Sequence, residues 1–93
     1  MRISVAAKRI SRLSTGRHFL AFLAEPARVV HLDSRSVLAV VSVTKAEGDL
    51  EAAEARFVRS LRDSGTDTQV AAERFHDSVT ALLDCGVLHR ENA

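Results

Sequence analysis

The chain has 93 residues and 10.1 kDa, with 46% hydrophobic and 27% charged residues, the proportions of one small globular domain and not of a disordered chain. Thirteen Lys and Arg stand against twelve Asp and Glu, a formal charge of +1, which argues against a basic nucleic-acid coat and against an acidic mimic. A lone cysteine, Cys85, has no partner for an internal disulfide and predicts a reducing, cytoplasmic setting; no apolar run approaches the roughly 20 residues of a bilayer span.

Residues 1–17 carry five basic side chains (Arg2, Lys8, Arg9, Arg12, Arg17) and no acid. The opening Met1-Arg2-Ile3-Ser4-Val5 is basic, but no apolar signal-peptide core follows it. Ile3 and Val5 alternate as in a strand, whereas Ile3, Ala7, Ile10 and Leu13 recur at helical spacing. Residues 1–16 therefore read as a basic arm for an acidic partner or as an N-terminal edge strand. Ser14-Thr15-Gly16 closes the segment with turn chemistry.

A hairpin is expected over about 18–32. Phe19-Leu20-Ala21-Phe22-Leu23-Ala24 is a short apolar run, Glu25-Pro26-Ala27-Arg28 suits a β-turn, and Arg28-Val29-Val30-His31-Leu32 is rich in β-branched residues. Asp33-Ser34-Arg35-Ser36 then offers N-cap chemistry before Val37-Leu38-Ala39-Val40-Val41-Ser42-Val43. Branched side chains favour a strand there and the caps favour a helix running toward Gly48; we assign the helix. A second helix follows Asp49, with Leu50, Ala53, Phe57, Val58 and Leu61 at helical spacing and Gly65 at its end. Thr66-x-x-Gln69 has the form of a capping box for a third helix, whose stripe is Ala72, Phe75, Val79, Leu82 and Leu83. Gly86 ends it, and Val87-Leu88 supply apolar contacts beyond.

Catalytic chemistry is thin. His18, His31, His76, His89 and Cys85 show no C-x-x-C or H-x-x-x-H spacing, so no metal site is expected. No G-x-S-x-G elbow surrounds a serine, and the glycines stand singly at 16, 48, 65 and 86, with no phosphate-cradling loop. Asp77 and Asp84 share the outer face of the last helix and read as solvating charge. Neither an enzyme acting alone nor a cofactor is expected. The elements suit binding instead, because a small sheet has an edge that must be covered, blunted or used. A step of about 100° per residue puts Val70, Arg74, Ser78, Ala81 and Cys85 on one flank of the last helix. That flank can border a groove beside a strand, where an extended peptide pairs its backbone with the edge.

The order of these residues resembles the PqqD-like family, the precursor-peptide recognition elements of ribosomally made and post-translationally modified natural products. The matching stretches are Val29-Val30-His31-Leu32-Asp33, Ser36-Val37-Leu38-Ala39-Val40-Val41, Glu47-Gly48-Asp49-Leu50, and Phe75 through Leu83 leading to Gly86-Val87-Leu88. The resemblance covers roughly residues 17–90 and implies an α+β, winged-helix-like domain without catalytic residues. It further implies binding of a leader peptide, presented to a maturation enzyme such as a radical-SAM protein, a cyclodehydratase or a leader protease. Carried onto this chain, the peptide site is Val29, Val30, His31 and Leu32 on a strand and Val70, Arg74, Ser78 and Ala81 on the last helix.

Two other readings compete. Winged-helix folds commonly read DNA, and Arg56, Arg59 and Arg62 on one helix could meet phosphates together with the basic arm. Glu51, Glu54 and Asp63 dilute that patch. Alternatively, the apolar run 37–43 could pack on another chain, as in an accessory or dimerisation subunit.

Overall fold

The structure, a computed structural model, describes residues 2–13, 16–24 and 27–91. In chain order it contains β1 (Arg2–Val5), β2 (Arg9–Arg12), β3 (His18–Ala24), β4 (Ala27–Asp33), α1 (Ser34–Lys45), α2 (Leu50–Asp63), α3 (Thr68–Asp84) and β5 (Leu88–Glu91). Two antiparallel sheets, β2-β3-β4 and β1-β5, accompany the helices, so the domain is α+β. The turn residues Ser14-Thr15 and Glu25-Pro26 lie outside the described residues; Ala27 and Arg28, expected in the second of those turns, already belong to β4.

The hairpin of β3 and β4 pairs His18 with Asp33 through Ala24 with Ala27. Period-2 alternation splits its side chains between two faces. Phe19, Ala21, Leu23, Val30 and Leu32 join the core, while Leu20, Phe22, Val29 and His31 lie on the opposite face. The run over β3 is apolar on both faces for a reason. Its outer face is sheltered by β2, where Arg9 stacks 4.7 Å from the centre of the Phe22 ring.

The segment read as an arm or edge strand forms two strands, and its helical spacing is not realised. β2 pairs with β3, whereas β1 crosses to β5 with Ile3 opposite Arg90. Ile3 is 1% exposed, and its N–H donates to the carbonyl of Gly48 at 2.9 Å. Gly48 (φ 86°) closes the turn between α1 and α2, and a Cβ there would stand 2.7 Å from the Ile3 carbonyl oxygen. Glycine is thus required both by the left-handed backbone and by the close approach of β1.

Cap chemistry decides the valine-rich run in favour of α1. Asp33 accepts the Ser36 N–H at 2.8 Å, and Ala39, Val40 and Val43 are buried. Ser42 and Thr44, unfavourable inside a helix, donate back to the carbonyls of Leu38 and Val40. The apolar run therefore lies mostly within the chain's own core, leaving Val41 exposed. Asp49 caps α2 as expected, and Gly65 ends it with bonds from Gly65 N to Arg62 O and from Thr66 N to Leu61 O, the Schellman arrangement.

That arrangement corrects the capping box. Thr66 belongs to the end of α2, and the N-cap of α3 is Asp67, whose carboxylate accepts from Gln69 and Val70. Across the helices Phe57 and Phe75, both fully buried, sit 5.2 Å apart between ring centres. His76 Nε2 meets Glu54 Oε1 at 2.6 Å and joins α3 to α2. Beyond Gly86, Val87 and Leu88 are buried as expected, but the residues that follow form β5, a strand the sequence reading did not contain. Among the described residues no helix is long and apolar enough to cross a membrane.

The two glycine turns separate backbone strain from crowding. Gly65→Ala, with φ 94° and nothing within 4 Å of the added Cβ, is expected to cost about 1 kcal/mol. Gly48→Ala adds the collision with Ile3 and is expected to lose more, read from urea midpoints at unchanged slope. Equal losses would contradict the seating of β1 on that turn.

Candidate functional site

β4 lies at the margin of its sheet and pairs only with β3 among the described residues. Its outer edge therefore carries unpaired backbone N–H and C=O groups. The four strand residues expected to hold a peptide divide between the two faces. Val29 is 53% exposed and His31 is exposed, whereas Val30 is half-buried and Leu32 is 4% exposed in the core. Leu32 and Val30 can thus offer an incoming chain their backbone but not their side chains. Period-2 alternation carried that signal in the sequence, since only every second residue of such a strand faces outward.

The helix flank divides in a similar way. Val70 is 38% exposed and Ala81 is exposed, Arg74 is half-buried, and Ser78 is buried at 8%. Ser78 is consequently a packing residue. Among the described residues, Arg74 has no ion pair, and no hydrogen bond joins Val70, Arg74, Ser78 or Ala81 to residues 29–32. The helix that packs directly on β4 is α1, and β4 and α3 are linked only as members of the common core. Leu32 shares one hydrophobic cluster with Phe75, Val79 and Leu82 of α3, and Val30 packs against it.

A polar tie fixes one end of this arrangement. Arg28, at the start of β4, donates from Nη2 to the Cys85 carbonyl at the C-cap of α3 at 2.5 Å. Gly86 makes the tie possible, because a Cβ at that position would collide with the guanidinium. Sequence reading placed Gly86 as a helix stop only. Its second role depends on a residue 58 positions earlier and left no local signal.

The charges of the N-terminal segment are largely engaged by the protein itself. Arg2 donates to the Glu47 carbonyl and lies 3.9 Å from Glu91, and Arg12 stacks over Phe19. Arg56, Arg59 and Arg62 are exposed on α2. His18 Nδ1 and His31 Nε2 form a hydrogen bond of 3.0 Å on the outer sheet face, a cross-strand pair not anticipated. Cys85 is a free thiol, and no cluster of three or more metal-ligating side chains occurs among the described residues.

Comparison of the chain with family models, curated proteins and solved structures returns no match.

The junction of β4 and α1 aims the strand, and its cap is titratable. The Ser36 backbone N–H bonded to Asp33 holds that carboxyl below the usual carboxylate range. A depressed folded-state pKa stabilises the fold above the ordinary carboxylate value, and that stability fades as pH falls through the folded value. Asp33→Ala should therefore lose about 1 kcal/mol at neutral pH. The gap from the parent should narrow as pH drops below about 4; a gap independent of pH in urea titrations would contradict the charged cap.

Proposed function

We propose that this protein is a non-catalytic, PqqD-like peptide-binding domain that recognises the leader segment of a ribosomally synthesised precursor peptide. The leader adds as a strand to the outer edge of β4 and is presented to a maturation enzyme: a radical-SAM protein, a cyclodehydratase or a leader protease. Such work belongs to the cytoplasm, where precursor and enzyme meet and the Cys85 thiol stays reduced.

The single observation carrying this reading is the unpaired edge of β4 beside an exposed Val29. Main-chain hydrogen bonds supply affinity in strand addition, and side chains on the flanking elements supply selectivity. On α3 the half-buried, unpaired guanidinium of Arg74 suits an acidic leader residue, and Val70 and Ala81 offer apolar contact. Recognition of DNA through Arg56, Arg59 and Arg62 of α2 is disfavoured by electrostatics, because Glu51, Glu54 and Asp63 lie on the same helix and the formal net charge is only +1.

Titration of the isotope-labelled protein with leader peptides encoded beside its gene is expected to shift backbone amides of residues 28–32 and 70–81. Arg74→Gln should weaken an acidic leader by roughly two- to fivefold while leaving the shifts of 28–32 in place. Saturating leader that moves neither segment would contradict strand addition.

A further inference from the structure

Along α1 the residues Leu38, Val41, Ser42 and Lys45 recur three and four apart, so they share one stripe of the helix. That stripe meets Arg56, Arg59 and Ser60 of α2 across a shallow groove of about 160 Å3. Leu38 is half-buried and Val41 is 39% exposed, which leaves apolar surface inside the groove. Lys45, Arg56 and Arg59 are exposed around it, and their side chains have no ion pair or hydrogen bond among the described residues. Acids are kept away. α1 contains none, Glu54 is drawn to His76 of α3 at 2.6 Å, and Glu47 lines a separate depression beside β1. A step of about 100° per residue turns Glu51 and Glu54 to the far side of α2 from Arg56. The acid closest to Arg59 along α2 is Asp63, one turn away, and no ion pair joins them.

We infer that this groove is the docking surface for the maturation enzyme, and that the segment it receives is a short acidic helix with one apolar side. The inference rests on the leader-presentation reading and supplies the partner's chemistry. Two features carry it. The first is complementarity. An apolar strip flanked by three uncompensated cations is matched by an amphipathic helix bearing Asp or Glu beside its apolar anchors. Leu38 to Lys45 spans about 10 Å, two helical turns, so one or two anchors and two or three carboxylates fill it. Nucleic acid would leave the apolar strip unused, because phosphate contacts need no such surface. The second feature is position. α1 starts directly after Asp33 at the end of β4 and packs on the inner sheet face. A protein seated on the α1–α2 groove therefore lies near the strand that carries the leader, and the groove residues leave the β4 edge open.

The test adds the purified maturation enzyme encoded beside the gene to the isotope-labelled full chain, first alone and then with leader. Amides of residues 38–45 and 56–60 are expected to shift or broaden on enzyme, and those of 28–32 on leader. Arg56→Gln combined with Arg59→Gln should weaken the enzyme roughly three- to tenfold, with thermal melting and leader shifts unchanged. Val41→Ser should weaken it too, whereas Arg56→Lys combined with Arg59→Lys should keep most of the affinity. An enzyme that binds elsewhere on the chain, ignores the glutamine substitutions or fails to bind the parent would overturn the groove and leave strand addition standing. Leader that moves no amide in 28–32 would instead sink strand addition. Duplex DNA is the second probe: if it moves 38–45 and 56–60 with a steep salt dependence while the enzyme does not, the groove belongs to nucleic acid and the assignment falls.

Discussion

A strand at the margin of a sheet has backbone donors and acceptors that must meet water or another chain. In this protein the topology leaves that condition on β4 at one margin of the three-stranded sheet, as it does on β2 at the other. The strand that precedes it, β3, already lies between β2 and β4, and the chain leaves β4 directly into α1 through the Asp33 cap. The remaining strands are engaged elsewhere, since β1 and β5 pair with each other. No described segment is left to cover the edge. Of the devices that commonly blunt such edges, charge is present only at Arg28 and Asp33, and both are turned to internal tasks.

The surroundings hold that edge in place. The inner sheet face packs on α1, and Leu32 belongs to the core cluster with Val40, Val79 and Leu82, so β4 cannot shift register without moving Leu32 out of the core. At the other end of the strand, Arg28 reaches the last carbonyl region of α3, and Gly86 gives it space. Far from the site, Ile3 seats β1 on the Gly48 turn and ties the α1–α2 connection to the second sheet. Rigid surroundings of this kind reduce the ordering cost when a flexible peptide binds.

The elements set by neighbouring residues were legible in the sequence. Asp33 and Asp49 announced α1 and α2, the spacing of Phe75, Val79 and Leu82 announced α3, and the β-branched residues around Val29 announced β4. Thr66 misled by one position, because the Schellman bond to Leu61 claimed its backbone and Asp67 is the stronger acceptor. β5 was illegible for a different reason. Leu88-His89-Arg90-Glu91 has little strand character, and it is a strand because β1, more than 80 residues away, supplies its ladder. The same non-locality hid a cavity lined by Lys8, Arg28 and His89, which come from three separate parts of the chain. Of the site residues, Val29, His31, Val70, Arg74 and Ala81 remain accessible in whole or part, and burial removes the side chains of Leu32 and Ser78.

Amide hydrogen exchange along β4 in the free protein tests the open edge most directly. Alternate N–H groups of an edge strand point away from its partner, so exchange over residues 28–32 should alternate between slow amides bonded to β3 and fast amides facing solvent. Uniform slow exchange, equal to that of β3, would mean the edge is already covered and would contradict the account.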